Sequence, residues 1–165
     1  MECQLKRLCS KTNRGFTLVE VMVVLILLTL SFMVFLQALN TGKSVRVNSE
    51  LRTIQALILN SLQQEIRARK YDENSSAPWT QSLGAEAGEV TKSQYDDIDD
   101  FHQYTISSVQ GYPAYSCSVA VNYVDATSGF HTFQSSPTNY KSVMVKVLHR
   151  TNLTLIDTMI ISPGI

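Results

Sequence analysis

The residues best suited to chemistry stand in two places. One is Glu20, a carboxylate inside the apolar run "GFTLVEVMVVLILLTLSF"; the other is "YDDIDDF", where Asp96, Asp97, Asp99 and Asp100 fall within five consecutive positions. An ionised side chain in hydrocarbon costs about 2.5–3.5 kcal/mol on insertion scales, and such residues are usually paired and functional. The plain alternative places Glu20 near the headgroups, one turn from a helix start, where the dipole and a snorkelling side chain tolerate it. The four aspartates repel one another unless counter-charge is present. They read either as a solvated acidic turn, with Ile98 and Phe101 tucked under a sheet, or as a cation site. Calcium is the cation expected there, because it takes several carboxylate and carbonyl oxygens on a flexible loop. The spacing lacks the alternation and the closing Glu of an EF-hand loop.

Other chemistry finds less support. "TGKS" at 41–44 has the tail of a phosphate-binding loop, but Gln37 occupies the position of the required first Gly and no strand precedes it. His102, His131 and His149 show no ligand spacing, and no Gly-x-Ser-x-Gly is present, so catalytic apparatus is not expected. Cys3 and Cys9 lie in the basic head and Cys117 is alone in the body, without metal spacing; Cys117 is expected to be a small buried apolar residue. Asn74 and Asn152 each open an Asn-x-Ser/Thr triplet, a pattern common by chance.

The elements that must position these residues follow from composition and period. The 165 residues suffice for one domain plus an anchor, and the zero net charge gives no reason to expect a nucleic-acid partner. Four of the fourteen basic residues, but only one of the fourteen acidic ones, fall in the first fifteen positions. From residue 16 to 36 the chain holds no Lys, Arg, Asp, Asn, Gln, Gly or Pro. As a helix this run spans roughly 30 Å, a bilayer core. A cleavable secretory signal is shorter and ends in small residues, which "QALNTGKS" does not match, so a membrane span is expected. Lys6, Arg7, Lys11 and Arg14 outweigh Lys43, Arg46 and Arg52, which places the N-terminus in the cytoplasm by the positive-inside rule.

Beyond the span, Val47, Leu51, Ile54, Ile58, Leu62 and Ile66 recur at steps of three and four, one face of a helix. Arg46, Glu50, Arg52, Gln55, Gln63, Gln64, Glu65, Arg67 and Arg69 are assigned to the opposite, polar face. The spacing predicts one helix over 16–70, about 80 Å long, with the internal Gly42 as the point where it can bend. Residues 71–100 are rich in turn formers and acids and read as an irregular connection. Strands are expected at 102–109, 114–124, 141–150 and 153–162, the last two joined by a turn at 150–152. A helix followed by antiparallel strands gives an α+β fold, with the sheet covering the second half of the helix.

The stretch "RGFTLVEVMVVLILL" closely resembles the start of type IV pilins and of the pseudopilins of type II secretion: a basic leader, Gly, Phe-Thr-Leu-x-Glu and a long apolar run. The resemblance implies a type IV pilin-like fold. It also implies that a membrane prepilin peptidase cuts between Gly15 and Phe16 and methylates the new amine of Phe16. Glu20 becomes the assembly glutamate, meeting that amine in its own or a neighbouring chain. The chain divides accordingly into a leader at 1–15, a transmembrane and assembly segment at 16–40, an amphipathic helical half at 41–70, and a globular body at 71–165. Unlike many pilins it has no Pro in the apolar helix and no pair of cysteines to close a C-terminal loop, which favours a minor over a shaft subunit. "SLGAEAGE", "YDDIDDFHQY" and "VMVKVLHRTNLTLIDTMIIS" further resemble minor pilin-like proteins of the mannose-sensitive haemagglutinin (MSHA) pilus system. The implied function is structural, with no enzymatic activity. Its partners are the peptidase, major and other minor pilins packed through the N-terminal helix, the inner-membrane assembly platform and the membrane itself. The implied location is the inner membrane of a Gram-negative bacterium, with the body in the periplasm or in the pilus. A minor pseudopilin of a type II secretion system, and a membrane-anchored binding domain that never polymerises, are the alternatives.

Overall fold

The computed structural model describes residues 15–151 and 154–164. Residues 1–14 of the expected leader, Cys3 and Cys9, and the turn and strand start expected at 152–153, including the Asn152 triplet, lie outside the described residues. One helix, α1, spans Leu18–Arg67, two or three residues shorter at each end than its periodicity predicts. Its start has a local cause. Thr17 Oγ1 accepts the Glu20 N–H at 3.3 Å, the side-chain half of a capping box, and Glu20 supplies the acidic residue of the first turn. Its end tightens, with Arg69 N donating to Ile66 O at 3.1 Å.

The chain forms two compact units that meet within α1, one ending at Val45 and the other beginning at Arg46. In the first, every residue from Gly15 to Val45 is exposed. Its hydroxyls fold back on the helix: Thr29 Oγ1 donates to Ile26 O at 2.8 Å and Thr41 Oγ1 to Gln37 O at 3.0 Å. Polar side chains satisfied in this way add little to the cost of an apolar environment. This helix is long and apolar enough to cross a membrane.

In the second unit α1 buries Gln55, Ile58, Leu59, Leu62, Gln63 and Ile66, while Leu51 and Ile54 pack half-buried against the same core. The predicted apolar stripe therefore holds from Leu51 onward, but Val47 is 54 % exposed. Gln55 and Gln63 do not lie on the polar face expected of them. At 3.6 residues per turn both border the apolar row, and the sheet gives them partners. Gln55 Nε2 donates to Val147 O at 3.4 Å and Gln63 Nε2 to Asp157 Oδ2 at 3.0 Å.

The sheet is antiparallel, with strands β1 (Thr105–Ile106), β2 (Tyr115–Val124), β3 (Phe133–Gln134), β4 (Lys141–His149) and β5 (Leu155–Ile161). Its order is β1-β2-β4-β5, and β3 pairs with the far end of β2. β2 and β4 run in register through Cys117↔Val147, Val119↔Val145, Val121↔Val143 and Tyr123↔Lys141. The inward-facing members of these pairs, with Met159 of β5, close over α1 to make the core. Cys117 is buried there as expected. The strand expected at 102–109 shrinks to β1, because a 3-10 turn at Asp99–Phe101 precedes it and the chain turns again before β2. The short β3 carried no sequence signal. One long helix packed by its second half against a C-terminal antiparallel sheet is an α+β architecture consistent with the pilin-like fold.

Candidate functional site

Two sets of residues could carry function, one in each unit. Gly15, Phe16 and Glu20 sit at the start of α1, with the Phe16 side chain 81 % exposed and Glu20 exposed one turn inside the helix. The bond expected to be cut, Gly15–Phe16, therefore lies just outside the helical segment and is exposed. The geometry around Glu20 is local, from the Thr17 cap, and leaves its carboxylate open to a partner.

The second set is built where the 71–100 connection returns to the helix end. Lys70 and Asp97 form a parallel bridge, with Lys70 N donating to Asp96 O at 3.3 Å and Ile98 N to Lys70 O at 3.0 Å. This bridge pins the two ends of the loop together and swings the acidic stretch under the sheet. The solvated turn is not what forms: Asp97 and Asp99 are 0 % exposed, Asp100 is 1 % exposed, and Ile98 and Phe101 are buried beside them.

The counter-charge is Lys141. Its ammonium donates to Asp99 Oδ1 at 2.6 Å, to Asp72 Oδ2 at 3.1 Å and to Tyr71 O at 2.6 Å, and it faces the Tyr71 ring at 4.5 Å. Asp72 also accepts from Thr80 Oγ1 at 2.8 Å, from the Asn74 and Thr80 N–H groups, and from Tyr123 Oη at 3.2 Å. Burial would raise the Asp72 carboxyl, but the hydrogen bonds from Thr80, Asn74 and Lys141 together bring it below its ordinary value. Asp72 and Lys141 were missed in the sequence, although one signal was there: Lys141 shares the phase of Val143, Val145 and Val147, the inward face of β4.

The four aspartates divide by task. Asp97 Oδ1 accepts the N–H groups of Asp99 and Asp100, at 2.9 and 3.2 Å. Asp100 Oδ2 accepts those of Asp96 and Asp97, at 2.9 and 3.1 Å. Asp99 faces Lys141, and Asp96 Oδ2 meets Lys70 Nζ at 2.7 Å on the surface. Each aspartate nonetheless keeps one buried oxygen without a hydrogen-bond partner: Asp96 Oδ1, Asp97 Oδ2, Asp99 Oδ2 and Asp100 Oδ1. Burial, with Asp99 alongside, pushes the Asp97 carboxyl up to about 8.

Glutamates from the connection join this cluster. Oxygens of Glu86, Glu89 and Asp100 lie within 4.8 Å of one another, and so do oxygens of Glu73, Glu89 and Asp96. Desolvation, with Asp100 and Glu89 beside it, pushes the Glu86 carboxyl up to about 7. Sequence reading placed the candidate oxygens on the aspartates alone and missed the glutamates. Gly88, at φ +119°, gives the turn between Glu86 and Glu89 a backbone open only to glycine, and Glu89 N donates to Glu86 O at 3.1 Å.

The remaining reactive groups serve the fold. Burial pushes the Cys117 thiol up, away from nucleophilic character. His102 Nδ1 lies 2.6 Å from Val121 O, and His149 Nδ1 accepts from the Thr151 N–H at 3.3 Å.

Against this geometry, residues 10–36 match the prokaryotic N-terminal methylation motif. The match covers the basic approach, Gly15, Phe16, Glu20 and the apolar start of α1. Comparison with curated proteins and with solved structures finds no significant match to this chain. The motif and the fold together support a type IV pilin-like or pseudopilin protein. Proteins carrying this motif are structural, and it implies processing by a prepilin peptidase and handling by pilin assembly machinery.

Proposed function

We propose that this chain is a minor type IV pilin-like subunit of an MSHA-like pilus, cut between Gly15 and Phe16 and methylated on Phe16. The observation that carries this reading is the methylation motif at the head of a helix whose apolar side chains, from Leu18 to Val45, are all exposed. Each Leu, Val, Ile or Phe side chain left in water forgoes about 1.5–3 kcal/mol of burial. Such a surface needs a bilayer first and neighbouring helices afterwards. The basic residues ahead of Gly15 orient the segment with its start in the cytoplasm and the body in the periplasm. After cleavage the Phe16 amine and Glu20 are complementary charges in an apolar setting. Pairing them, within one chain or between two, selects one axial offset between helices at some cost in stability.

Intact-mass and N-terminal analysis of the protein recovered from membranes tests the processing step. The expected mature chain begins at methylated Phe16, and a chain still carrying residues 1–15 overturns the reading. Deleting the gene separates pilus from secretion machine. Loss of surface pili with normal exoprotein release supports the pilus, and the reverse outcome assigns the chain to type II secretion.

A further inference from the structure

We infer that the body of this protein binds one calcium ion through Glu86, Glu89 and Asp100, beside Glu73 and Asp96. The three carboxylates come from two separate turns, Glu86–Glu89 and the 3-10 turn at Asp99–Phe101, and their oxygens converge within 4.8 Å. Two observations go beyond a crowd of acids. Asp100 is 1 % exposed; two backbone N–H groups hold its Oδ2, and its Oδ1 meets no N–H, hydroxyl or ammonium donor, the Glu86 carboxyl being the side chain's other hydrogen-bond neighbour. The side chain is therefore fixed in orientation, with one desolvated oxygen left over. An anionic oxygen in that state is costly unless a cation meets it.

The nearby ammonium groups are engaged elsewhere. Lys141 is held by Asp72 and Asp99, Lys92 pairs with Glu65 at 2.7 Å, and Lys70 pairs with Asp96 at 2.7 Å, with Glu73 and Asp97 also in its field. Protein ammonium groups thus leave Glu86, Glu89 and Asp100 uncompensated among the described residues. The donor set is oxygen only and anionic, which selects a hard cation over zinc or copper. Two of the three ligands, Glu86 and Glu89, sit on a turn outside helix and sheet, a frame that suits the larger and geometrically tolerant Ca²⁺. Mg²⁺ demands a near-octahedral shell and keeps its waters. Bound there, calcium would fasten the Glu86–Glu89 turn to the end of the connection that the Lys70–Asp97 bridge and the Lys141–Asp99 pair already hold.

The test uses the full chain in detergent micelles, stripped with chelator and titrated with CaCl₂ or MgCl₂. Binding is read by calorimetry, thermal stability by melting, and the connection by the fluorescence of Trp79, the single tryptophan, whose indole donates to Asn139 Oδ1 at 2.8 Å. Saturable calcium binding with a rise in Tm, unmatched by magnesium at equal concentration, is expected. In Glu86→Gln/Glu89→Gln affinity should fall by about tenfold or more, while the metal-free Tm stays the same or rises because two repelling charges are gone. Because Glu86 is exposed and Glu89 only half-buried, this variant should fold. Asp125→Asn, an acid outside the cluster, should bind as the parent does. A flat calcium titration, an equal response to magnesium, or unchanged affinity in the double variant would each overturn the assignment.

Discussion

The segment from Phe16 to Val45 and the body from Arg46 onward solve opposite problems with charge. The first exposes nearly every apolar side chain it has and carries one acid, Glu20, on its surface. The second wraps its apolar side chains in a sheet and buries an ammonium and several carboxylates at the centre, with Lys141, Asp72 and Asp99 almost wholly enclosed. A charge tolerated at the edge of an apolar helix needs a partner from outside the segment. A charge buried inside the body has its partners supplied by the fold. Function and stability therefore reside apart: substitutions in the first region should act on assembly, and those in the second on folding.

The largest effect on the body is expected at Lys141. Lys141→Met leaves Asp72 and Asp99 as uncompensated buried carboxylates, and should cost about 3–5 kcal/mol in denaturant unfolding of the body. Adding Asp72→Asn and Asp99→Asn to it should recover a large part of that loss, because neutral amides replace stranded charges. If Lys141→Met melts like the parent, the buried charge cluster is not what organises the loop.

A matched pair of leucines gives the next largest effect. Leu62, 7 % exposed, and Leu27, 61 % exposed, lie on the same helix. Leu62→Ala should destabilise the body by about 2–5 kcal/mol through lost burial and a residual cavity. Leu27→Ala should leave it within about 0.5 kcal/mol, as surface changes usually do. Equal effects on unfolding would erase the distinction between the two regions.

Acidification sharpens the same contrast. The folded Asp72 carboxyl lies below its ordinary value of 3.8, so its contribution is fully present above that value and fades as pH falls through the folded one. Acid unfolding of the body followed between about pH 5 and 2 should therefore be less steep in Asp72→Asn, which binds no proton there. An identical profile for parent and variant would remove Asp72 from the acid response.

The smallest effect on stability, with the largest on assembly, is expected at Glu20. Glu20→Ala should leave unfolding of the body unchanged while incorporation into fibres, or crosslinking to partner subunits, fails. Normal incorporation would leave Glu20 with only the local role seen at the helix start beside Thr17.

Local rules determined much of this protein from sequence alone. The apolar run, the i, i+3, i+4 stripe from Leu51 to Ile66 and the alternation in "YSCSVAV" are repeats set by backbone geometry, so the long helix and the β2, β4 and β5 strands are legible without a partner. The motif around Gly15, Phe16 and Glu20 is contiguous, and for that reason it too reads directly. What only tertiary structure decided are the pairings between distant positions. Gln55 and Gln63 turned inward because the sheet offers them Val147 O and Asp157, and β3 exists only because β2 is there to pair with it. The acidic turn went inside because Lys141, 42 residues beyond Asp99, meets it there. Glu86 and Glu89 reached Asp100 because the loop closes at Lys70–Asp97. Burying a charge is favourable only when its partner has already been placed, and that placement is a property of the folded chain as a whole.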